Sequence, residues 1–140
     1  MKSTKFFIKV IFSIIGISLT LSCQKYPEGP SFSLRSAQDR IAREWEVESI
    51  EQNGQDISAT FSEFSLELQS SGLAKWNYTT SGNSISKEGN WELTDNARNV
   101  VFNWGADIEE MNILRLTAKE LWVEKEADTV NYFYKFKSKN

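Results

Sequence analysis

The chain has 140 residues, with 16 Lys or Arg, 19 Asp or Glu, no His and a single Cys. Three lysines, Lys2, Lys5 and Lys9, lie in the first 22 residues, which contain no acid, so the rest carries 13 basic and 19 acidic side chains, a formal charge of −6. This balance disfavours a nucleic-acid partner, and the lack of His excludes Ser-His-Asp, Cys-His and His-metal sites.

The first 22 residues have the pattern of a secretory signal peptide. The three lysines provide the positive start, and the apolar run at residues 10–21 provides the core. This run is shorter than the roughly 20 apolar residues that cross a bilayer, which disfavours a permanent transmembrane helix. We therefore predict that residues 1–22 are removed.

The residues around the cysteine, Leu19-Thr20-Leu21-Ser22-Cys23, resemble the lipobox of bacterial lipoproteins. The resemblance implies cleavage before Cys23 and acylation of its thiol and its freed amine, so that several acyl chains, palmitate among them, hold the protein at a membrane. The lack of a disulfide partner favours this interpretation over an ordinary signal peptide or a buried thiol. Gln24 in place of Asp implies the outer membrane, with the side of that membrane left open.

Residues 23–35 are predicted to be a tether, because Pro27, Gly29 and Pro30 interrupt regular structure there. The remaining residues, 36–140, are close to the commonest size of a single domain. Aromatic residues make up 13% of the chain, so a domain of this size can bury a large apolar area without disulfides.

A short helix is predicted at the start of the domain, because Ser36 and Asp39 resemble a capping box. Leu34, Ala37 and Ile41 fall at helical spacing and lead to Trp45. We expect this apolar edge of the helix to face the domain.

Eight short runs of alternating apolar and polar residues follow, spaced by about 9–12 residues. In the first run Trp45, Val47 and Ser49 alternate with glutamates, and Asn53-Gly54 ends it with a strong turn signal. The later runs are centred on Phe64 to Leu68, Ala74 to Tyr78, Gly89 to Leu93, Val100 to Trp104, residues 111–117, residues 120–126 and Val130 to Phe136. Connections this short fit hairpins. The predicted fold class is all-β: a small eight-stranded antiparallel up-and-down barrel preceded by the short helix, with an antiparallel sandwich as the alternative.

Three motifs in this order resemble the lipocalin-like lipoproteins of the Bacteroidota. They are Trp45 with the run Val47, Ser49, Ile50, Asn53 and Gly54; Gly89-Asn90-Trp91-Glu92-Leu93; and Leu116, Leu121 and Val123. The resemblance covers roughly residues 38–137, with Arg43 where lipocalins usually have Gly. It implies a lipocalin-like barrel with an apolar ligand in its mouth.

Two groups of acids are the remaining candidates for catalysis or metal binding: the row Glu44, Glu46 and Glu48, and the cluster Asp107, Glu109 and Glu110. Neighbours in the row lie about 6.6 Å apart, which overlaps the spacing of inverting glycosidases, but a solvated outer face is the favoured interpretation of the row. The cluster lacks the ligand spacing of an EF-hand. We expect no catalytic residue, no cofactor and no metal, and a carboxylate-based hydrolase is the least favoured alternative.

Large aromatic side chains are the candidate ligand-binding residues: Trp45, Trp76, Trp91, Trp104, Tyr132 and Tyr134. An eight-stranded barrel is just wide enough to be filled by side chains or to hold one small ligand, so both outcomes stay open. Trp122 lies on the opposite face from Leu121 and Val123. An outward Trp beside Phe133 predicts a contact patch or a covering loop.

The predicted function is that of a lipid-anchored, lipocalin-like protein of the cell envelope that binds a small apolar ligand. The alternative is a non-catalytic protein-interaction or structural module with a solid barrel core. The expected partners are the membrane, through the lipid anchor, and the apolar ligand, without nucleic acid.

Overall fold

The computed structural model describes residues 25–30 and 33–139, so the predicted signal peptide and Cys23 lie outside the described residues. The elements are helix α1 (Ala37–Ile41) and strands β1 (Glu44–Gln52), β2 (Gln55–Asp56), β3 (Phe61–Leu68), β4 (Leu73–Thr80), β5 (Asn83–Thr94), β6 (Asn99–Asn103), β7 (Ile108–Leu116), β8 (Glu120–Ala127) and β9 (Val130–Ser138). Two 3₁₀ turns, Ser58–Thr60 and Asp95–Ala97, join strands.

The eight long strands form one closed antiparallel wall. Each pairs with the next long strand along the chain, and β9 pairs with β1 to close the barrel. The two-residue strand β2 pairs with the end of β1 and stands outside this closed wall. The prediction of an eight-stranded antiparallel up-and-down barrel is confirmed. Closure pairs the two edges that an open sheet would leave exposed.

Two tight turns fix the register of their hairpins. Asn53 and Gly54 have φ angles of 52° and 78°, and Ser81 and Gly82 have φ angles of 50° and 76°. Positive φ at both central residues gives a turn whose twist matches that of the flanking strands. Glycine and asparagine tolerate this conformation, which is why the predicted Asn53-Gly54 turn forms where the sequence places it.

A β-bulge in β1 changes which side chains face inward. Val47 lies opposite Phe136 and Ser49 lies opposite Lys135, with a register shift between them. The alternation therefore changes phase, so that Ile50 is fully buried and Ser49 shares the outer face with Lys135. The prediction that Ser49 continues the inward row was wrong, because strict alternation does not anticipate an inserted residue.

One continuous hydrophobic core fills most of the barrel. Its most deeply buried strand residues are Trp45, Ile50, Leu66, Leu68, Val100, Phe102, Met111, Ile113, Leu116, Leu121, Val123 and Phe136. Side chains that point to one face of a strand recur at every second residue, and the closed wall brings these faces together. The predicted inward positions of β3, β8 and the end of β9 belong to this core.

Helix α1 packs at the end of the barrel where β1 begins and β7 ends, which we call the closed end. Ser36 caps the helix by accepting a hydrogen bond from the Asp39 N–H at 3.0 Å, as predicted. Ile41 is fully buried, and its carbonyl accepts a hydrogen bond from the Trp45 indole N–H at 2.9 Å. Leu34 is 93% exposed, so its predicted place on the apolar edge was wrong, because the helix begins at Ala37.

Two arginines tie the closed end together. Arg40 is 6% exposed, and its Nη1 donates to the Leu116 carbonyl at 2.6 Å. Arg43 donates to the Arg40 carbonyl at 2.7 Å, and its guanidinium lies 5.6 Å from the ring centroid of Trp45. A guanidinium over an indole ring is attracted by the π system. Arg43 therefore covers Trp45.

Residues 25–30 lie against β7. The Glu28 N–H donates to the Leu114 carbonyl at 2.8 Å, and the Leu116 N–H donates to the Gly29 carbonyl at 3.3 Å. The Tyr26 side chain is fully buried, and the Arg40 guanidinium lies 5.6 Å from its ring centroid. This part of the predicted tether is therefore packed on the barrel, because a buried aromatic ring holds it there.

Candidate functional site

A cavity of about 250 Å³ opens at the end of the barrel opposite α1, and we call it the mouth cavity. Six aromatic and three charged residues line it: Phe61, Phe64, Trp76, Tyr78, Tyr132 and Tyr134, with Lys87, Glu109 and Lys125. Phe61 begins β3, and Glu109 is the second residue of β7. Both strands run from this end of the barrel towards the closed end, so the cavity lies at their starting edge.

The strand register turns three charged side chains towards the aromatic interior. Lys87 lies directly opposite Trp76, Glu109 opposite Phe102, and Lys125 opposite Tyr132. Residues directly opposite each other in an antiparallel pair share one face of the sheet. The three charges therefore occupy inward positions, where apolar side chains are usual.

The three charged groups form one ion-pair cluster. Lys87 Nζ lies 3.1 Å and Lys125 Nζ 3.3 Å from the same oxygen, Glu109 Oε1. The side chains are 33%, 25% and 16% exposed for Lys87, Lys125 and Glu109, so all three are partly shielded from water. Two ammonium groups face one carboxylate, and the cluster carries a net charge of +1.

The surroundings of Glu109 keep it ionised. Burial opposes the charge on its carboxylate, but the hydrogen bond from Lys87 and the positive charges of Lys125 and Lys87 outweigh burial and lower the pKa of Glu109. Burial raises the pKa of Tyr134, and the negative charge of Glu109 raises it further. At neutral pH the cavity therefore presents two cations, one carboxylate and a neutral Tyr134 hydroxyl.

Replacing Tyr134 by Phe is expected to reduce the loss of stability at alkaline pH. A tyrosine whose pKa is raised by folding contributes stability that is fully present below its unfolded pKa near 10 and is lost as pH rises through the folded value. Urea unfolding of wild type and Tyr134→Phe at about pH 8, 10 and 11 measures the difference. The two proteins should diverge only above about pH 10. Parallel pH profiles would contradict this account.

Stacked aromatic rings build the wall of the mouth cavity. Tyr134 stacks between Tyr132, at 6.2 Å, and Phe136, at 6.0 Å, along β9. Phe64 stacks on Tyr78 at 5.4 Å and meets Trp76 edge-on at the same distance. Such pairs contribute about 0.5–1.5 kcal/mol each beyond the area they bury. The wall is therefore a preformed apolar surface.

The six predicted ligand-binding residues fall into two groups. Trp76, Tyr132 and Tyr134 line the mouth cavity, and Trp104 packs on Trp76 with ring centroids 6.2 Å apart. Trp45 and Trp91 lie towards the closed end, where their indole N–H groups donate to the carbonyls of Ile41 and Gln69, both at 2.9 Å. The interior of the barrel is thus filled by side chains towards the closed end and leaves a cavity at the mouth, so each of the two expected outcomes applies to one part of the barrel.

Sequence reasoning missed the two lysines and assigned Glu109 to a different kind of site. Lys87 stands two residues before Gly89 in the inward row of β5, and Lys125 stands two residues after Val123 in the inward row of β8. Extending the alternation through the charged positions identifies them. The inward positions of the two lysines were not predicted because charged residues are expected to face solvent.

Trp122 lies on the outer face of β8, as predicted. Its ring meets Phe133 edge-on at 6.2 Å, and the cationic groups of Arg115 and Lys135 lie 5.2 and 4.9 Å from its centroid. Arg115 Nη1 also donates to the carbonyl of Glu28. The half-buried tryptophan is thus covered partly by two cationic side chains and bordered by the N-terminal segment.

The two acidic groups lie on different surfaces of the barrel. Glu44 is paired with Lys139 at 2.6 Å. Glu109 faces the cavity, whereas Glu110, its neighbour on the opposite face of β7, accepts a hydrogen bond from Asn99 at 2.6 Å. The cluster of Asp107, Glu109 and Glu110 is therefore divided between two faces of the sheet.

Across residues 25–30 and 33–139, no set of three or more Asp, Glu, Cys or His side chains is placed to hold a metal ion. In the same part of the chain, no helix has the length and hydropathy of a transmembrane segment. No protein-family model, curated protein or solved structure matches this chain.

Proposed function

We propose that this chain is a lipid-anchored, lipocalin-like protein of the cell envelope that binds a small, largely apolar ligand in the mouth cavity. The single observation that carries the proposal is the cavity of about 250 Å³ walled by six aromatic residues at the open end of a closed barrel. Ligand sites are typically concave and mostly apolar, with a few polar groups that fix orientation. The cluster of Lys87, Glu109 and Lys125 provides such groups.

The volume of the cavity limits the size of the ligand. An apolar protein cavity of about 150 Å³ holds a benzene molecule, so the mouth cavity accommodates roughly ten non-hydrogen atoms. Long acyl chains exceed this volume. The proposed ligand is therefore a compact ring or a short branched molecule.

Membrane attachment is the second part of the proposal. It is supported by the lipobox-like sequence that ends at Cys23 and by the resemblance to lipocalin-like lipoproteins of the Bacteroidota. A non-catalytic role is supported by the absence of His and by the only Cys being the proposed anchor. Gln24 after the cysteine supports a location at the outer membrane, with the side left open.

Ligand binding is tested by tryptophan fluorescence of the full chain, titrated with small ring compounds of about ten non-hydrogen atoms. Because Trp76 lines the cavity and Trp122 lies outside the barrel, a saturable signal should be lost in Trp76→Phe and kept in Trp122→Phe. The opposite pattern, or no saturable response to any compound, would contradict the proposal. Far-UV circular dichroism verifies that both variants are folded.

Lipid attachment is tested by metabolic labelling with radioactive palmitate. The wild-type chain should incorporate label and partition with membranes, and Cys23→Ser should lose both properties. Ser22→Ala keeps a small residue before the cysteine and should be labelled normally. Membrane partitioning of Cys23→Ser equal to that of wild type would rule out the anchor.

A protein-interaction role is the second candidate, favoured by the outward pair Trp122 and Phe133. A tryptophan on the outer wall of a barrel is a common contact for a partner. Crosslinking in membranes followed by mass spectrometry should recover a partner that Trp122→Ala loses. Recovery of the same proteins with both chains would count against this role.

A further inference from the structure

We propose that the mouth cavity selects a small organic monoanion, a carboxylate attached to a compact apolar body, and that Lys87 and Lys125 bind its charged group. This inference rests on the proposed ligand-binding function and adds the chemical class of the ligand. It is carried by the unequal count of two ammonium groups and one carboxylate among aromatic walls.

The mouth cavity contains one more ammonium group than its carboxylate requires. One lysine would be enough to neutralise Glu109, yet Lys87 and Lys125 both contact its Oε1, at 3.1 and 3.3 Å. An ammonium group that is partly removed from water and has no carboxylate of its own destabilises the fold. The stability of the fold therefore does not explain why a second lysine lies beside Glu109. A bound monoanion would bring the charge of the cavity to zero. A dianion or a cation would leave it unbalanced.

The mouth cavity has more hydrogen-bond donors than acceptors. Each ammonium group has three N–H donors, and within the described residues Glu109 is the one acceptor that either lysine contacts. Trp76 is 5% exposed and lines the cavity, and its buried indole N–H has no partner in the described part of the chain. The cavity therefore offers unused donors to a ligand that accepts hydrogen bonds.

The aromatic walls of the cavity indicate the chemistry of the uncharged part of the ligand. Tyr78 stacks on Phe64 and Tyr132 stacks on Tyr134, and the ring centroids of Phe64 and Tyr134 lie 6.2 Å apart. Flat rings of this kind pack well against a ring or a short branched chain. The ligand thus combines a compact apolar body with one anionic group at the lysines, roughly ten non-hydrogen atoms in all.

A matched set of probes tests the charge preference on the full chain in lipid nanodiscs, by isothermal titration calorimetry. The probes are 3-phenylpropionate, its amide and 3-phenylpropylamine, which share the ring and the chain and differ in charge. We expect the carboxylate to bind at least about tenfold more tightly than the amide, because charge-assisted hydrogen bonds are roughly twice as strong as neutral ones. The amine should not bind measurably.

Variants change the net charge of the cavity in steps. Lys87→Met and Lys125→Met bring it to zero, and Glu109→Gln brings it to +2 while keeping the size of the side chain. Carboxylate affinity should fall about tenfold or more in each Lys variant and rise several-fold in Glu109→Gln. Amide affinity should stay within about twofold in all three, and Lys87→Arg should retain carboxylate binding.

The outcomes separate this inference from the function on which it rests. Equal binding of the carboxylate and the amide, or carboxylate affinity that does not follow the charge of the cavity, overturns the anion preference and leaves ligand binding intact. A failure of every probe to bind folded wild-type protein overturns both. An ion-pair cluster with a purely structural role predicts variants that lose stability without this order of carboxylate affinities.

Discussion

Replacing Gly89 by Ala is expected to destabilise the barrel by about 3 kcal/mol, the upper part of the usual range for overpacking. A Cβ built on Gly89 overlaps the backbone carbonyl oxygen of Asn103 and lies 3.0 Å from the ring of Trp104. The backbone φ of Gly89 is not in the left-handed region, so space and not conformation requires glycine here. The end of β6 would have to move away from β5, and with it the Trp104 ring that packs on Trp76.

Thermal unfolding measures this effect, with Gly82→Ala as the matched control. Gly82 has a φ of 76° and open space around its position, so its substitution should cost only the conformational penalty of about 1 kcal/mol. The melting temperature should fall by roughly 12–24 °C in Gly89→Ala and by roughly 4–8 °C in Gly82→Ala. A smaller decrease for Gly89→Ala than for Gly82→Ala would refute the close approach of β5 and β6.

Replacing Tyr26 by Ala should destabilise the folded protein by about 2 kcal/mol, although Tyr26 lies before the first strand. Its side chain is fully buried, and burying a large aromatic ring removes roughly 150–250 Å² from water. The freedom that residues 25–30 regain on release offsets part of that loss. Urea unfolding gives the stability, and limited proteolysis should show faster cleavage before α1.

Tyr26→Phe is the control for this change. The Tyr26 hydroxyl is buried and has no hydrogen-bond partner in the described part of the chain, and burial raises its pKa in spite of the nearby Arg40 charge. Removing an unpaired buried hydroxyl is neutral or stabilising, whereas removing the ring is not. Equal stability of the Phe and Ala variants would contradict the packing of this segment on β7.

The position of Tyr26 restricts the distance between the proposed anchor and the barrel. Only three residue steps separate Cys23 from Tyr26, and an extended chain spans at most about 3.6 Å per residue. If Cys23 carries the acyl chains, the anchor lies within about 11 Å of the Tyr26 backbone. The packing of Tyr26 near Arg40 at the closed end then favours a mouth cavity that faces away from the membrane.

The aromatic half of the candidate site can be predicted from the sequence. Trp76, Tyr132 and Tyr134 follow from alternation, because an apolar residue at every second position marks the buried face. Alternation does not identify Lys87 and Lys125 as inward-facing, since a charged residue at the same period is ordinarily assigned to the solvent face. Their contact with Glu109 depends on the folding of three strands, because Glu109 is 22 residues from Lys87 and 16 residues from Lys125 along the chain.

The eight long strands, their antiparallel order and the two-residue turns could be predicted from the amino-acid sequence. These features depend on local properties: the period of two, the positive φ that Asn53-Gly54 tolerates, and connections too short for crossovers. Four features became clear only in the folded chain: the pairing of β1 with β9 that gives a barrel and not the alternative sandwich, the phase change after Val47, the packing of Tyr26 on the barrel and the charged cluster in the mouth. Each of these joins residues that are distant in the chain, and their proximity exists only once the wall has closed.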